Sequence, residues 1–158
     1  MKNLKTEKAN ILLIGIGNSG RRDDGLGWKF VELVNQNGIK DIDCEYRYQL
    51  QIEDVLMICN YDKVIFADAS HKELKEGFEW QSCSAASHYF FSSHLQSPET
   101  ILYLSKELYN KTPETYTLAI AGYSWGLGTN LSQEAELNLQ KAFSFFEKEM
   151  MLVASNES

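Results

Sequence analysis

The stretch ILLIGIGNSGRRDDGLG, residues 11–27, decides the fold and the kind of site that the chain can build. A continuous aliphatic run ends at Gly15 and Gly17, and this pattern predicts a buried strand over residues 9–15 that enters a tight bend. Two adjacent aspartates follow the bend, where a phosphate-binding loop would have an apolar helix start. The stretch therefore favours a site for a cation over a site for an anion.

The acid pair, Asp23 and Asp24, precedes a helix that helical spacing of apolar residues predicts over residues 25–34. A carboxylate in this place can accept hydrogen bonds from the free amides of the first helical turn. We expect one aspartate to cap the helix and the other to face a site. The sequence leaves open which of the two does which.

Length and composition predict one folded domain over residues 1–158, with 1–8 and 154–158 as flexible ends. The hydrophobic fraction is 44%, and the chain contains eight Phe, eight Tyr and three Trp, which is typical of a globule with a packed core. The net charge of −7 provides no cationic face for phosphates, so we expect no nucleic-acid partner.

Three cysteines without a short metal-binding spacing indicate free thiols in a reducing compartment. The polar start and the short apolar run after it fit neither a signal peptide nor a membrane span. We expect a cytoplasmic monomer that does not contact membranes.

The rest of the chain alternates predicted strands and helices. Strands are predicted over residues 43–50, 63–67 and 116–121, and FEWQSC at 78–83 is a possible added strand. Helices are predicted over residues 52–59, from the Ser97 N-cap to about residue 109, and from residue 132 to about residue 151. This rhythm predicts an α/β fold in three layers, α/β/α, with a twisted, mostly parallel sheet of about five strands flanked by helices.

Ligands of such a sheet gather beyond the carboxyl ends of its strands. Asp24 follows the first predicted strand, Asp68 ends the third, and His94 lies in a loop that returns to the same edge. Two carboxylates and an imidazole suit a divalent transition metal with open coordination positions. Each residue alone also has a plainer interpretation, as a helix cap, a strand end or a loop histidine.

Two other histidines compete with His94 for this role. His71 is three residues beyond Asp68, but it opens a run of charged residues, and we expect it to be solvated. His88 sits beside Tyr89 and two phenylalanines, and we expect it to be structural.

The glycine spacing also matches a dinucleotide-binding pattern, through Gly15, Gly17 and Gly20. Carboxylates at Asp23 and Asp24 would repel a pyrophosphate at this helix start, so we rank a dinucleotide-binding oxidoreductase second. A non-catalytic module that binds a metal or a partner is a further alternative.

Four segments resemble the hydrogenase maturation proteases, which process the large subunit of nickel–iron hydrogenases. They are GIGNSGRRDDGLG at 15–27, VIFADAS at 64–70, SSHLQSPETILYLSKELY at 92–109 and GYSWGLGTNLSQEAE at 122–136. The resemblance implies a twisted five-stranded sheet between helices, of the phosphorylase/hydrolase-like kind. It also implies an endopeptidase that recognises nickel in a large-subunit precursor and removes its C-terminal extension.

Carried over residue by residue, the resemblance assigns both metal binding and catalysis to Asp24, Asp68 and His94. Nickel would come with the substrate, and other divalent metals could substitute for it. We expect the metal to position the tail while a carboxylate activates water, although a metal that polarises the scissile carbonyl stays open. The expected loop-shaping residues are Gly15, Gly17, Asn18, Asp23 and Gly25.

Overall fold

The structure is a computed structural model that describes residues 10–87 and 97–157. Strands and helices alternate through most of the chain. In order they are β1 (Ile11–Ile16), a 3-10 turn (Arg22–Gly25), α1 (Leu26–Gln36), β2 (Ile42–Arg47), α2 (Asp54–Ile58), β3 (Lys63–Ser70), β4 (Phe78–Cys83), α3 (Pro98–Tyr109), β5 (Glu114–Ala121) and α4 (Gln133–Glu157).

The five strands form one sheet in the order β2-β1-β3-β5-β4. β1 pairs in parallel with β2 and β3, and β3 pairs in parallel with β5. Only β4, at one edge, is antiparallel to its neighbour among the described strands. The prediction of a mostly parallel sheet of about five strands is confirmed.

Helices cover both faces of the sheet, because the buried strands are apolar on both sides. Leu13 and Ile65 point to the face that α1 and α4 cover, together with Phe30 and Phe146. Their chain neighbours point to the opposite face, where α2 and α3 pack. The three-layer α/β/α arrangement follows from this alternation, as predicted.

Most predicted elements differ from the structure only at their ends. FEWQSC forms β4, and Ser97 caps α3, since its hydroxyl accepts a hydrogen bond from the amide of Thr100 at 3.1 Å. α2 is shorter than predicted, and α4 is longer. β3 continues to Ser70, so Asp68 lies inside the last part of the strand. Among the described residues, no helix has the length and apolar character needed to cross a membrane.

Two glycines bring α1 unusually close to the sheet. A Cβ atom at Gly15 would lie 2.5 Å from the carbonyl oxygen of Gly27, and one at Gly27 would lie 2.5 Å from that of Ala67. Both places therefore exclude a larger side chain. The close approach holds the start of α1, and the turn before it, against the carboxyl ends of β1 and β3.

Candidate metal and catalytic site

Asp24 and Asp68 line the same cavity at the carboxyl ends of the parallel strands. The cavity has a volume of about 560 Å³, and its wall also includes Gly17 from the loop after β1, Tyr48 after β2 and Ser97 before α3. A space of this size is typical of sites for small ligands or short peptide segments. The structure thus brings together the two acids that the sequence placed at one sheet edge.

Asp68 is partly buried, and the amide of Ala69 donates a hydrogen bond to it at 2.8 Å. Burial raises the pKa of the Asp68 carboxyl to about 7; the hydrogen bond from Ala69 opposes the shift, and the negative charge of Asp24 adds to it. A carboxyl group with a pKa near neutrality can accept or release a proton at the pH of a cell.

The second acid of the cavity, Asp24, also has a raised pKa. Burial raises the pKa of the Asp24 carboxyl, and the backbone hydrogen bond from Asn18 and the charges of His71 and Arg21 oppose the shift. The amide of Asn18 lies 3.1 Å from Asp24 Oδ2. Two partly buried carboxylates that repel each other form an environment that a cation would stabilise.

Asp23 faces away from this cavity, and its side chain is fully buried. Its carboxylate accepts hydrogen bonds from the amides of Tyr123, Ser124 and Ser132, at 2.7 to 2.8 Å, and from the hydroxyl of Ser132 at 2.7 Å. Burial raises the pKa of Asp23, but these four hydrogen bonds outweigh it and the net pKa is lowered.

The prediction that one aspartate of the pair caps α1 is wrong. Gly25 occupies the N-cap position, and within the described residues the N-terminus of this helix has no side-chain capping hydrogen bond. The 3-10 turn before the helix rotates the two acids, so that Asp23 points to the loop after β5 and Asp24 to the cavity. The sequence left open which of the two aspartates faces the site, and in the structure Asp24 is the one that lines the cavity.

The predicted third ligand, His94, lies outside the described residues, as does His88. Within residues 10–87 and 97–157, no group of three or more His, Cys, Asp or Glu side chains could hold a metal ion. The metal site formed by Asp24, Asp68 and His94 therefore stays a prediction. The two described donors are hard oxygen ligands, which suit a divalent cation.

His71 is exposed, as expected, but one face of its ring stacks on Trp125, with ring centroids 3.7 Å apart and planes inclined by 16°. The sequence reasoning did not single out Trp125. Its position in the glycine-rich GYSWGLG segment was the available signal, because loops that follow the strands of such a sheet often carry contact residues.

The glycine loop after β1 does not present the free amides that a dinucleotide site needs. Its amide groups donate to acceptors within the protein, which include the carbonyl oxygens of Arg47, Gly128 and Ser124 and the side chain of Asn18. The amides engaged in this way are those of residues 17, 18 and 20 to 24. A pyrophosphate would have to displace these bonds and approach Asp24, so the geometry disfavours the dinucleotide alternative.

Solved structures provide the comparison with known proteins. A hydrogenase 2 maturation peptidase from a Thaumarchaeota archaeon superposes with a TM-score of 0.66 and 19% identity, over 89% of this chain and 97% of that one. The [NiFe] hydrogenase maturation protease HycI from Thermococcus kodakarensis gives a TM-score of 0.67 and 20% identity, over 91% and 94%. The hydrogenase maturating endopeptidase HybD from E. coli gives 0.65 and 18%, over 94% and 93%.

No protein-family model matches the sequence, and the comparison with curated proteins gives no match. The likeness to the solved structures extends over about nine tenths of the chain and of each of the three structures. At these identities it concerns the fold. The chain has the fold of the hydrogenase maturation proteases.

Proposed function

We propose that this protein is an endopeptidase that removes the C-terminal extension from the large-subunit precursor of a nickel–iron hydrogenase. The observation that carries the proposal is the pair of acids, Asp24 and Asp68, lining one cavity at the strand ends of this fold. The fold is shared with proteins described as hydrogenase maturation proteases over most of both chains.

The chemistry of the possible metal ligands supports nickel as the metal that the site recognises. Asp24 and Asp68 supply carboxylate oxygens, and His94 would add an imidazole nitrogen, a mixed set that suits a divalent transition metal with open positions. In this proposal nickel arrives in the precursor as part of the substrate. Its presence in the precursor would decide whether the tail is held in place for cleavage.

We assign the role of general base to Asp68, because in the metal-free protein its pKa of about 7 lies close to neutral pH. Water adds to the scissile carbonyl carbon while its proton passes to the Asp68 carboxylate. The carbon–nitrogen bond then breaks as the nitrogen takes up a proton. The products are a new C-terminal carboxyl group on the subunit and a free amine on the released extension.

The test is incubation of the protein with a nickel-loaded precursor, followed by mass measurement of the products. The wild-type protein should lower the mass of the precursor by that of its C-terminal extension. Asp68→Asn and His94→Ala should each lower the rate by about 100-fold or more, since each removes a group that acts directly on the substrate. A precursor without nickel should stay uncut.

Tyr109→Ala is a matched control, because Tyr109 is exposed at the end of α3 that lies away from the cavity. This variant should process the precursor at the wild-type rate. If the protein leaves nickel-loaded precursors of every hydrogenase class unchanged in mass, the proposal is wrong. Retention of nickel affinity in that case would favour the non-catalytic binding module.

A further inference from the structure

The stacked pair His71 and Trp125 lies where two chain segments meet beside the candidate site. His71 follows the last residue of β3, and Trp125 belongs to the loop between β5 and α4, residues 122–132. The nearly parallel rings cover one face of the imidazole, and His71 is nevertheless an exposed residue. A stack of this geometry fixes the orientation of an otherwise mobile surface side chain.

The indole itself has little freedom to move. The amide of Gly122 donates to the carbonyl oxygen of Ser70 at 2.9 Å, which joins the loop to the end of β3. A Cβ atom at Gly122 would lie 2.7 Å from the Trp125 ring, so the ring packs directly on the main chain. The buried carboxylate of Asp23 holds the two residues that precede Trp125.

This imidazole directly follows a residue that lines the cavity of the candidate site. Ser70, the residue before it, lines the same cavity as Asp24 and Asp68. The charge of His71 is among the influences that lower the pKa of Asp24, so the two side chains lie within electrostatic reach of each other. In the described part of the chain, the ring nitrogens of His71 have no hydrogen-bond partner.

We propose that His71, oriented by Trp125, contacts the substrate and donates a hydrogen bond to a main-chain carbonyl of the extended precursor tail. The two described acids of the site are acceptors when ionised, whereas an extended peptide presents a carbonyl acceptor at every residue. An oriented imidazole N–H beside the residue that lines the cavity, Ser70, supplies a donor that the acids cannot. This inference rests on the proposed function and adds a substrate-binding residue to it.

The experiment measures kcat and KM separately on the nickel-loaded precursor. His71→Ala should raise KM by about tenfold, the effect of one lost hydrogen bond in a site, and leave kcat within about twofold. His71→Gln, which keeps a side-chain N–H donor, should recover part of the loss. Trp125→Ala should raise KM to a similar extent, and Trp125→Phe, which keeps a stacking ring, should stay near wild type.

The double variant distinguishes positioning from independent effects. Because Trp125 acts through His71, the variant with both alanines should have the KM of His71→Ala alone. Additive increases in KM, or an unchanged KM in His71→Ala, would overturn the inference. A loss of activity that only follows the fraction of unfolded protein, measured by thermal denaturation, would overturn it as well.

Affinity for a synthetic peptide of the precursor tail, measured with Ni²⁺ present, separates this inference from the proposed function. The comparison uses otherwise wild-type protein and a peptide whose scissile amide is replaced by a non-cleavable linkage, so no cleavage is required. A tenfold loss of affinity on adding His71→Ala supports the contact even if wild-type protein fails to cut the precursor. An unchanged dissociation constant contradicts it even if cleavage is normal.

Discussion

Replacement of Asp23 by Asn should destabilise the protein far more than the same replacement at the next residue, Asp24. Both changes remove one negative charge and preserve the side-chain shape. Asp23 is fully buried and accepts four hydrogen bonds, whereas Asp24 is partly exposed and its side chain accepts one, from Asn18. The two variants therefore test directly what each acid does.

The magnitude follows from the arrangement of donors around the Asp23 carboxylate. Oδ2 accepts from the amides of Tyr123 and Ser124 and from the Ser132 hydroxyl, and Oδ1 accepts from the Ser132 amide. An asparagine has one oxygen, so in either orientation its NH₂ group faces at least one amide donor. Hydrogen bonds to a charged group are worth about 1.5–3 kcal/mol each, and we expect a loss of about 3 kcal/mol.

The pH dependence of this loss has a definite sign. The pKa of Asp23 is lowered in the folded protein, so its contribution to stability is present above its ordinary pKa of 3.8 and is lost as pH falls through the folded pKa. The difference in stability between wild type and Asp23→Asn should be constant from about pH 5 to 8. It should shrink below about pH 4.

Urea unfolding followed by tryptophan fluorescence and by circular dichroism measures these free energies. At pH 7.5 Asp23→Asn should lose about 3 kcal/mol, or roughly 10 °C in Tm for a chain of this size. Asp24→Asn should stay within about 1 kcal/mol of wild type, because its carboxylate makes one such bond and its pKa is raised. Equal losses in the two variants would refute the assignment of Asp23 to the loop and Asp24 to the cavity.

Three further predictions concern the site and the thiols. In metal-free protein, the raised pKa of Asp68 means that its carboxylate destabilises the fold increasingly between pH 3.8 and about 7. The free energy of unfolding in urea should therefore be up to about 4 kcal/mol higher in Asp68→Asn than in wild type at pH 8, and equal to it near pH 3. Gly17 has a φ of +143°, and a Cβ there would lie 2.1 Å from the carbonyl oxygen of Asp24, so Gly17→Ala should lower the free energy of unfolding by about 3 kcal/mol or more. Burial raises the pKa of Cys83 to about 12 and that of Cys44 to about 11, so iodoacetamide at pH 8 should alkylate both far more slowly in the native protein than in urea, as measured by peptide mass spectrometry.

Each of these predictions has a direct counter-result. A metal-free Asp68→Asn variant that is less stable than wild type at pH 8 would show that the carboxylate is stabilised by neighbours rather than strained by burial. An unchanged unfolding midpoint in Gly17→Ala would show that the loop can rearrange around a methyl group. Equal alkylation rates in native and unfolded protein would show that the thiols are accessible.

The sequence predicted the fold well because its signals are local. The aliphatic runs of β1 and β3 are short and buried on both faces, and together with the helices predicted between the strands they favour a parallel sheet covered on both sides. Ser97 followed by proline marks the start of α3 through hydrogen bonds within one turn. The edge strand β4 was predicted as a possible addition, and its antiparallel pairing with β5 comes from tertiary packing that the sequence pattern does not contain.

The site was predicted less completely because its decisive contacts are distant in sequence. The partners of Asp23 lie 100 to 109 positions along the chain, so local reasoning assigned the acid pair to the nearest helix instead. The stack of His71 on Trp125 likewise joins two loops separated by β4, α3 and β5. The charged residues after β3 led us to expect a solvated His71, and only the three-dimensional arrangement shows that Trp125 stacks on it.

The acid pair links the site to the loop after β5, in addition to the main-chain hydrogen bonds that join Gly128 to Gly20 and Arg22. Asp23 fixes the segment that carries Trp125, and Asp24, one residue later, lines the cavity. Since the 3-10 turn holds both residues, a shift of the loop after β5 would rotate the turn and move the Asp24 carboxylate. Loss of the Asp23 anchor should therefore weaken substrate binding as well as stability. In a double variant with Trp125→Ala, the KM effects of the two changes should be less than additive, because both act on the same loop.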